Sequence, residues 1–211
     1  MHLRLVISLL LLAMAARTMP QTPVAPAERS RIISDISHAA SQVATLSCDF
    51  TQTKTLSILT DRLVSHGNML FSRPQKLRWC YTKPYAYTFI INGERISIAK
   101  DSRRSDIDLR SSQLFKETAR LMAGSVTGQC LTQEGDFDVT ILADATTYVA
   151  SLRPKAKRLR TMFADIRLTF DRASKCVRQV VLTEPSGDTT LITFTNIRQN
   201  LSIDDKAFTL D

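Results

Sequence analysis

The chain is poor in the residues that carry most enzyme and metal chemistry. It holds three histidines in 211 residues, and its four cysteines include no CxxC pair, so a metal-ligand set at the usual spacing is excluded. The acidic pairs Asp106/Asp108 and Asp204/Asp205 fall in loop or tail stretches and read as solvated charge. There is no GxSxG nucleophile elbow; Gly124-Ser125-Val126-Thr127-Gly128 has the wrong spacing. Phosphate-cradling glycine loops and dinucleotide fingerprints are absent as well. His38 lies on an expected helix and His66 in an expected strand beside Gly67, so each reads as a surface or packed histidine rather than a base. A hydrolase, a nucleotide-binding enzyme and a metalloprotein are left without machinery. The reading is a non-enzyme with no cofactor.

Long apolar runs are missing too. Leu5 to Ala16, behind Arg4, is too short to cross a bilayer as a helix, and Ala13-Met14-Ala15 offers a small-x-small cleavage site. Residues 1–15 therefore read as a secretory signal peptide, with no cysteine near the cut for lipid attachment. Residues 16–27 read as a linker and 28–211 as a single domain. The formal charge is +8, from 28 basic and 20 acidic residues. The basic run 153–160 has no interleaved aromatic on which single strands would stack, and export argues against a nucleic-acid partner. It reads as a solvated edge first, and as a membrane-surface or partner contact second. Cys48, Cys80, Cys130 and Cys176 allow three full pairings; Cys48 with Cys130, each at the edge of an expected element, is the pairing expected.

What the chain does contain is alternation. Leu77, Trp79 and Tyr81 share one face of a strand over residues 76–82, and Tyr85, Tyr87, Phe89 and Ile91 share one face of the next. Pro74 marks the turn before the first, and Asn92-Gly93 a hairpin after the second. This face gathers the only Trp and three of the four Tyr. It reads either as ordinary core or as the lining of an apolar site, and Phe71, Leu121 and Met122 are candidate additions to such a lining. Strands are further expected from Cys48 towards Ile58, over 63–71, 95–100, 137–141, 148–153, 163–171, 176–184 and 189–196. A charged loop is expected over 101–110. Helical spacing of Ile32, Ile33, Ile36, Ala39, Ala40, Val43 and Leu46 predicts an amphipathic helix over 28–46, and a second helix is expected over 111–123. Phe208 reads as an anchor in the tail.

About ten strands in hairpin order make a mainly β (α+β) fold economical: an incomplete, strongly curved antiparallel β-barrel whose N-terminal helix and inserted helix cover the concave face. A half-barrel need not be filled by its helices, so an apolar cavity is possible. Arg73, in a turn beside the aromatic strands, is a candidate latch: its planar fork of donors suits helix carbonyls.

Phe50-Thr-Gln-Thr-Lys54, Gly67-x-Met-Leu-Phe71-x-Arg73-Pro74-x-x-Leu77-x-Trp79-x-Tyr81-x-x-Pro84 and Ile90-Ile-Asn-Gly93 resemble the outer-membrane lipoprotein carrier protein (LolA) family. Leu152-Arg-Pro-Lys155, Gly187-Asp-Thr-Thr and Phe208 are similar in order and spacing, and the likeness spans roughly residues 28–210. The spacing is nearest to a branch of Bacteroidetes type. The resemblance implies a monomeric periplasmic carrier, a half-barrel with a helical lid. Its implied partners are the acyl chains of lipoproteins, an inner-membrane ABC transporter of the lipoprotein-release type and, where one exists, an outer-membrane receptor. It maps the family's latch arginine onto Arg73 and a partner-sensitive apolar position onto Leu77, where the family often has an aromatic. Other readings with the same fold are a carrier of a different lipid or acylated pigment, and an envelope-stress lipid sensor, whose members usually carry a further C-terminal domain. A secreted esterase is disfavoured because no nucleophile motif is present.

Overall fold

The alternating segments form the strands of one sheet. A computed structural model describes residues 21–59, 61–100, 103–108, 124, 129–132 and 135–210. In chain order these contain β1 (Thr22–Pro23), α1 (Pro26–Ser41), β2 (Thr45–Thr55), β3 (Arg62–Ser72), β4 (Lys76–Lys83), β5 (Tyr87–Asn92), β6 (Arg95–Lys100) and β7 (Arg103–Asp108). A 3₁₀ turn at Gln129–Thr132 is followed by β8 (Phe137–Ala143), β9 (Thr147–Pro154), a single helical turn at Lys157–Arg160, β10 (Asp165–Asp171), β11 (Val177–Thr183), β12 (Thr189–Gln199) and a 3₁₀ turn at Asp205–Phe208. All pairings are antiparallel, and the sheet runs β1-β8-β9-β10-β11-β12-β2-β3-β4-β5-β6-β7. β12 against β2 is the seam that joins the two halves.

Period 2 sends one set of side chains from every long strand to the same face. Phe50 of β2, Met69 and Phe71 of β3, Leu77 and Trp79 of β4, Ile141 of β8, Leu168 of β10 and Phe194 of β12 join Ile32 and Ile36 of α1 in one continuous buried cluster. A sheet whose two halves both reach the same helix is curved around it, which is the half-barrel expected. α1 starts with Pro26, whose missing N–H costs nothing in a first turn. Val24 N–H donates to Ile141 O at 3.1 Å and Arg29 Nη1 to Val139 O at 3.0 Å, so the entry to α1 is tied to β8.

Aspartates close the hairpins of the second half. Asp144 accepts from the Thr147 hydroxyl and from the N–H groups of Thr146 and Thr147, and these bonds hold its carboxyl well below the usual carboxylate range. Asp171 accepts from the Ser174 hydroxyl and N–H, both at 2.7 Å, and is lowered for the same reason. Gly93 has φ +61 in the two-residue turn between β5 and β6, a conformation that suits glycine.

A second, smaller packing site lies on the opposite face. Phe208 is buried there with Ile90; Arg78 Nη1 donates to Ala207 O at 3.0 Å, Asn92 Nδ2 to Phe208 O at 3.3 Å, and Lys76 pairs with Asp205 at 2.8 Å. The tail anchor is therefore real.

Three expectations need correction. Residues 103–108, read as part of a loop because they are charged, form β7, paired with β6 from Arg95↔Asp108 to Lys100↔Arg103. As the last strand of the sheet it satisfies its backbone on one side only, and edge strands commonly carry charge. The helix read over 28–46 ends at Ser41, and Leu46 belongs to β2, where it pairs with Phe71. No disulfide joins Cys48 to Cys130 or any other pair. Cys48 faces inward from mid-β2, whereas the Cys130 Sγ in the 3₁₀ turn donates to Gly124 O at 3.4 Å. The helix expected over 111–123, with Leu121 and Met122, and the signal peptide read over 1–15 lie outside the described residues.

Candidate functional site

The aromatic face is built as the alternation implies, but it is packed on itself. Trp79 lies 4.3 Å from Phe50, 6.2 Å from Phe89 in a stacked arrangement and 6.1 Å from Phe194, centroid to centroid. Tyr81 meets Phe50 edge-on at 5.2 Å and Tyr87 at 5.9 Å, and its hydroxyl donates to Gln52 Oε1 at 2.9 Å. Burial pushes both phenols upward. Leu77, Trp79 and Ile91 are buried. Tyr85 stands apart: it precedes β5, and 77% of its surface is exposed.

The cavity lies beside this stack, under the second half of α1. Its volume is about 150 Å³. The roof is Ile36, Ala39, Ala40 and Val43; the floor is Leu46, Cys48, Met69, Phe71, Phe170, Val177, Phe194 and Ile197. Among the described residues of the lining read from sequence, only Phe71 borders it; Leu77, Trp79, Tyr81, Tyr87, Phe89 and Ile91 belong to the adjoining aromatic core. The gap has a local cause. Ala39 and Ala40 stand where only a larger side chain would reach the sheet, so the space beneath them is left unfilled. Ser174, Lys175, Cys176 and Gln199 supply a polar rim on one side. The Cys48 thiol is pushed up to about 12, first by burial and then by Asp49, so it stays protonated and acts as apolar wall.

Arg73 spans from the β3–β4 turn to the end of α1. Its Nε donates to Val43 O at 2.7 Å and its Nη2 to Ala40 O at 2.8 Å, while its backbone N–H donates to Ala44 O at 2.9 Å. Ala40 O lies in the last turn of α1 and Val43 O and Ala44 O just past it, so the guanidinium meets the negative end of the helix dipole. A second tie was not foreseen. Asn200, at φ +58, accepts from Ala44 N–H at 2.8 Å and donates through Nδ2 to Gln42 O at 3.2 Å. An asparagine just past an apolar strand is the faint signal for such a left-handed position. Asn200→Ala removes both bonds and strains the backbone, whereas Asn200→Gly removes only the bonds. Alanine is expected to cost about 2 kcal/mol and glycine about 1 kcal/mol, read from urea midpoints; equal losses would leave the side-chain bonds as the whole effect.

The fold and the cavity can be set against known proteins. Residues 41–211 match the family model described as outer membrane lipoprotein carrier protein LolA. The chain belongs to the LolA family. A protein of Pseudomonas paraeruginosa named outer-membrane lipoprotein carrier protein is 26% identical over 191 residues, covering 90% of this chain and 88% of its own. One of the same name from Chromobacterium violaceum is 28% identical, covering 85% and 82%. Among solved structures, an uncharacterized conserved protein from Thermus thermophilus superposes with TM-score 0.55 at 7% identity, over 85% of this chain and 91% of its own. MucB superposes with TM-score 0.51 at 11% identity, over 88% of this chain and 63% of MucB. At such identities these two speak for the fold alone. Among the described residues of this LolA-family chain, no helix is long and apolar enough to cross a membrane.

Proposed function

We propose that this chain is a periplasmic, non-enzymatic carrier that shelters the acyl chains of lipoproteins between α1 and the sheet. It takes them from an inner-membrane release transporter and yields them to an outer-membrane acceptor. The observation that carries this reading is Arg73 bound to two carbonyls, one in the last turn of the helix that roofs an apolar cavity and one just past it. The family supports the cargo class.

Magnitudes set how such a carrier works. An acyl chain of about 16 carbons, at ~0.8 kcal/mol per methylene, carries roughly 12 kcal/mol of transfer free energy, too much to cross water unaided. A cavity of about 150 Å³ is small beside the roughly 300–1,000 Å³ of ordinary ligand pockets, so cargo enters only when α1 moves off the sheet. Closure then rests on a few hydrogen bonds at the end of α1, each worth about 1–3 kcal/mol. That is weak enough to be broken by cargo and strong enough to favour the empty protein closed.

Native mass spectrometry of the protein purified from its own periplasm is the test. The expected spectrum contains an acylated polypeptide bound one-to-one. A free lipid or pigment in its place would replace lipoprotein with another cargo. Ala39→Leu, which fills the roof, is expected to raise stability by about 1 kcal/mol while abolishing uptake of an acyl probe. Undiminished uptake by a folded Ala39→Leu protein would overturn this cavity as the site.

A further inference from the structure

Six large apolar side chains are exposed among the described residues, and five of them crowd one end of the sheet. Ile58, at the turn between β2 and β3, is 88% exposed; Leu59, Leu63 and Val64 beside it are 54%, 60% and 45% exposed. The register places Tyr85 at the same end. His66 pairs with Lys83, the last residue of β4, so Arg62–Ser65 overhang that strand and pair only with β2, flanked by the loop that carries Tyr85.

The tip is braced. Ser57 N–H donates to Asp188 Oδ1 at 2.7 Å, and the Ser57 hydroxyl sits 2.9 Å from the same oxygen and 3.0 Å from Ser186 O. Leu59 N–H closes the turn on Leu56 O at 3.1 Å, and Lys54 pairs with Glu184 at its base. The turn between β11 and β12 thus holds the hairpin from one side. Arg62 and Lys83 stand exposed behind the apex, with Asp61 offsetting part of their charge.

We propose that this tip docks on a phospholipid membrane. Ile58 and Leu59 enter the headgroup boundary, Tyr85 lies at the interface, and Arg62 and Lys83 meet lipid phosphates. Apolar residues at an apex, an aromatic beside them and cations behind are the makeup of interfacial anchors. The arrangement also separates a bilayer from a protein groove. Leu63 and Val64 are consecutive in a strand and face opposite sides, so apolar surface surrounds the tip. A groove would cover one side; a fluid headgroup layer surrounds all of them. Bracing means little chain entropy is lost on insertion. The docking claim does not depend on what occupies the cavity; the carrier reading only supplies its use.

Flotation of the full chain with vesicles tests it. Vesicles of phosphatidylcholine, with and without phosphatidylglycerol, are the probe. The wild type is expected to float with both, and more with the anionic vesicles. Ile58→Asp with Leu59→Asp is expected to lose at least about tenfold in partitioning while keeping its melting temperature and its uptake of an acyl probe in vesicle-free solution. Arg62→Gln with Lys83→Gln is expected to lose only the preference for anionic vesicles. Wild-type protein that stays unfloated, or an Ile58/Leu59 variant that floats like it, overturns the proposal. A chain that floats but takes up no acyl probe sinks the carrier reading and leaves the docking tip standing.

Discussion

Gly67→Ala is expected to destabilise the protein by about 3 kcal/mol or more, the upper end of overpacking costs, and at 37 °C to leave little folded chain. A Cβ built at Gly67 lies 2.1 Å from Cys80 O and 2.4 Å from Cζ of Phe50. Neither neighbour can yield cheaply. The carbonyl belongs to β4, beside Tyr81, which pairs with Gly67 across the ladder. The Phe50 ring is wedged against Trp79 and Tyr81, so moving it shifts the whole aromatic core. The glycine is there so that Phe50 can lie across β3. Urea unfolding followed by far-ultraviolet circular dichroism reads the loss. Combining Gly67→Ala with Phe50→Leu is expected to recover part of the loss by clearing the ring clash, although the carbonyl contact remains. A midpoint that does not move in the single variant would mean that β3 and β4 part more easily than their pairing implies.

Arg73→Leu is expected to act in the opposite direction on binding. The substitution deletes two charged hydrogen bonds to Val43 and Ala40 carbonyls and keeps the apolar stem. Bonds to charged groups are worth about 1.5–3 kcal/mol each, and this pair is only partly buried, so about 3 kcal/mol of closing energy is a fair total. That raises the open fraction about 100-fold, and apparent affinity follows the competent fraction while the closed state still dominates. Acyl-probe affinity is therefore expected to rise by up to about 100-fold while stability falls. Slower release to an acceptor membrane should accompany it. α1 stays attached in the variant, because Asn200, Arg29 and the buried Ile32 and Ile36 still hold it. Lower stability with unchanged affinity would make Arg73 a structural clamp and nothing more.

The two residues also mark how far sequence carries here. Arg73 was legible because it sits in a turn next to a strand pattern and before a proline, where a long donor has few other targets. The strands were legible because period 2 is strong in them. β7 was not, since a charged edge strand and a charged loop read alike until a partner is known. The end of α1 was overrun because Val43 and Leu46 continue the helical spacing; pairing of Thr45 with Ser72 and of Leu46 with Phe71 overrides it. The cavity lies one step aside from the face read as a lining. Alternation tells which face points inward but not which part of that face is filled. Large aromatics fill their own space, and the vacancy falls where Ala39 and Ala40 are too small to do so. Asn200 and Gly67 act through backbone geometry and a ring on the neighbouring strand, neither of which leaves a periodic trace.

The seam between β12 and β2 sets an order of events for the growing chain. Asn196 reaches Asp49 across 147 positions, and Thr45 reaches Leu201 across 156. Before the last strand exists, the first half of the sheet has no neighbour on its inner side and α1 lacks Asn200. Closing so distant a contact is slow, and it waits on almost the whole polypeptide. The two halves of the sheet therefore become one layer only when β12 is in place between β11 and β2.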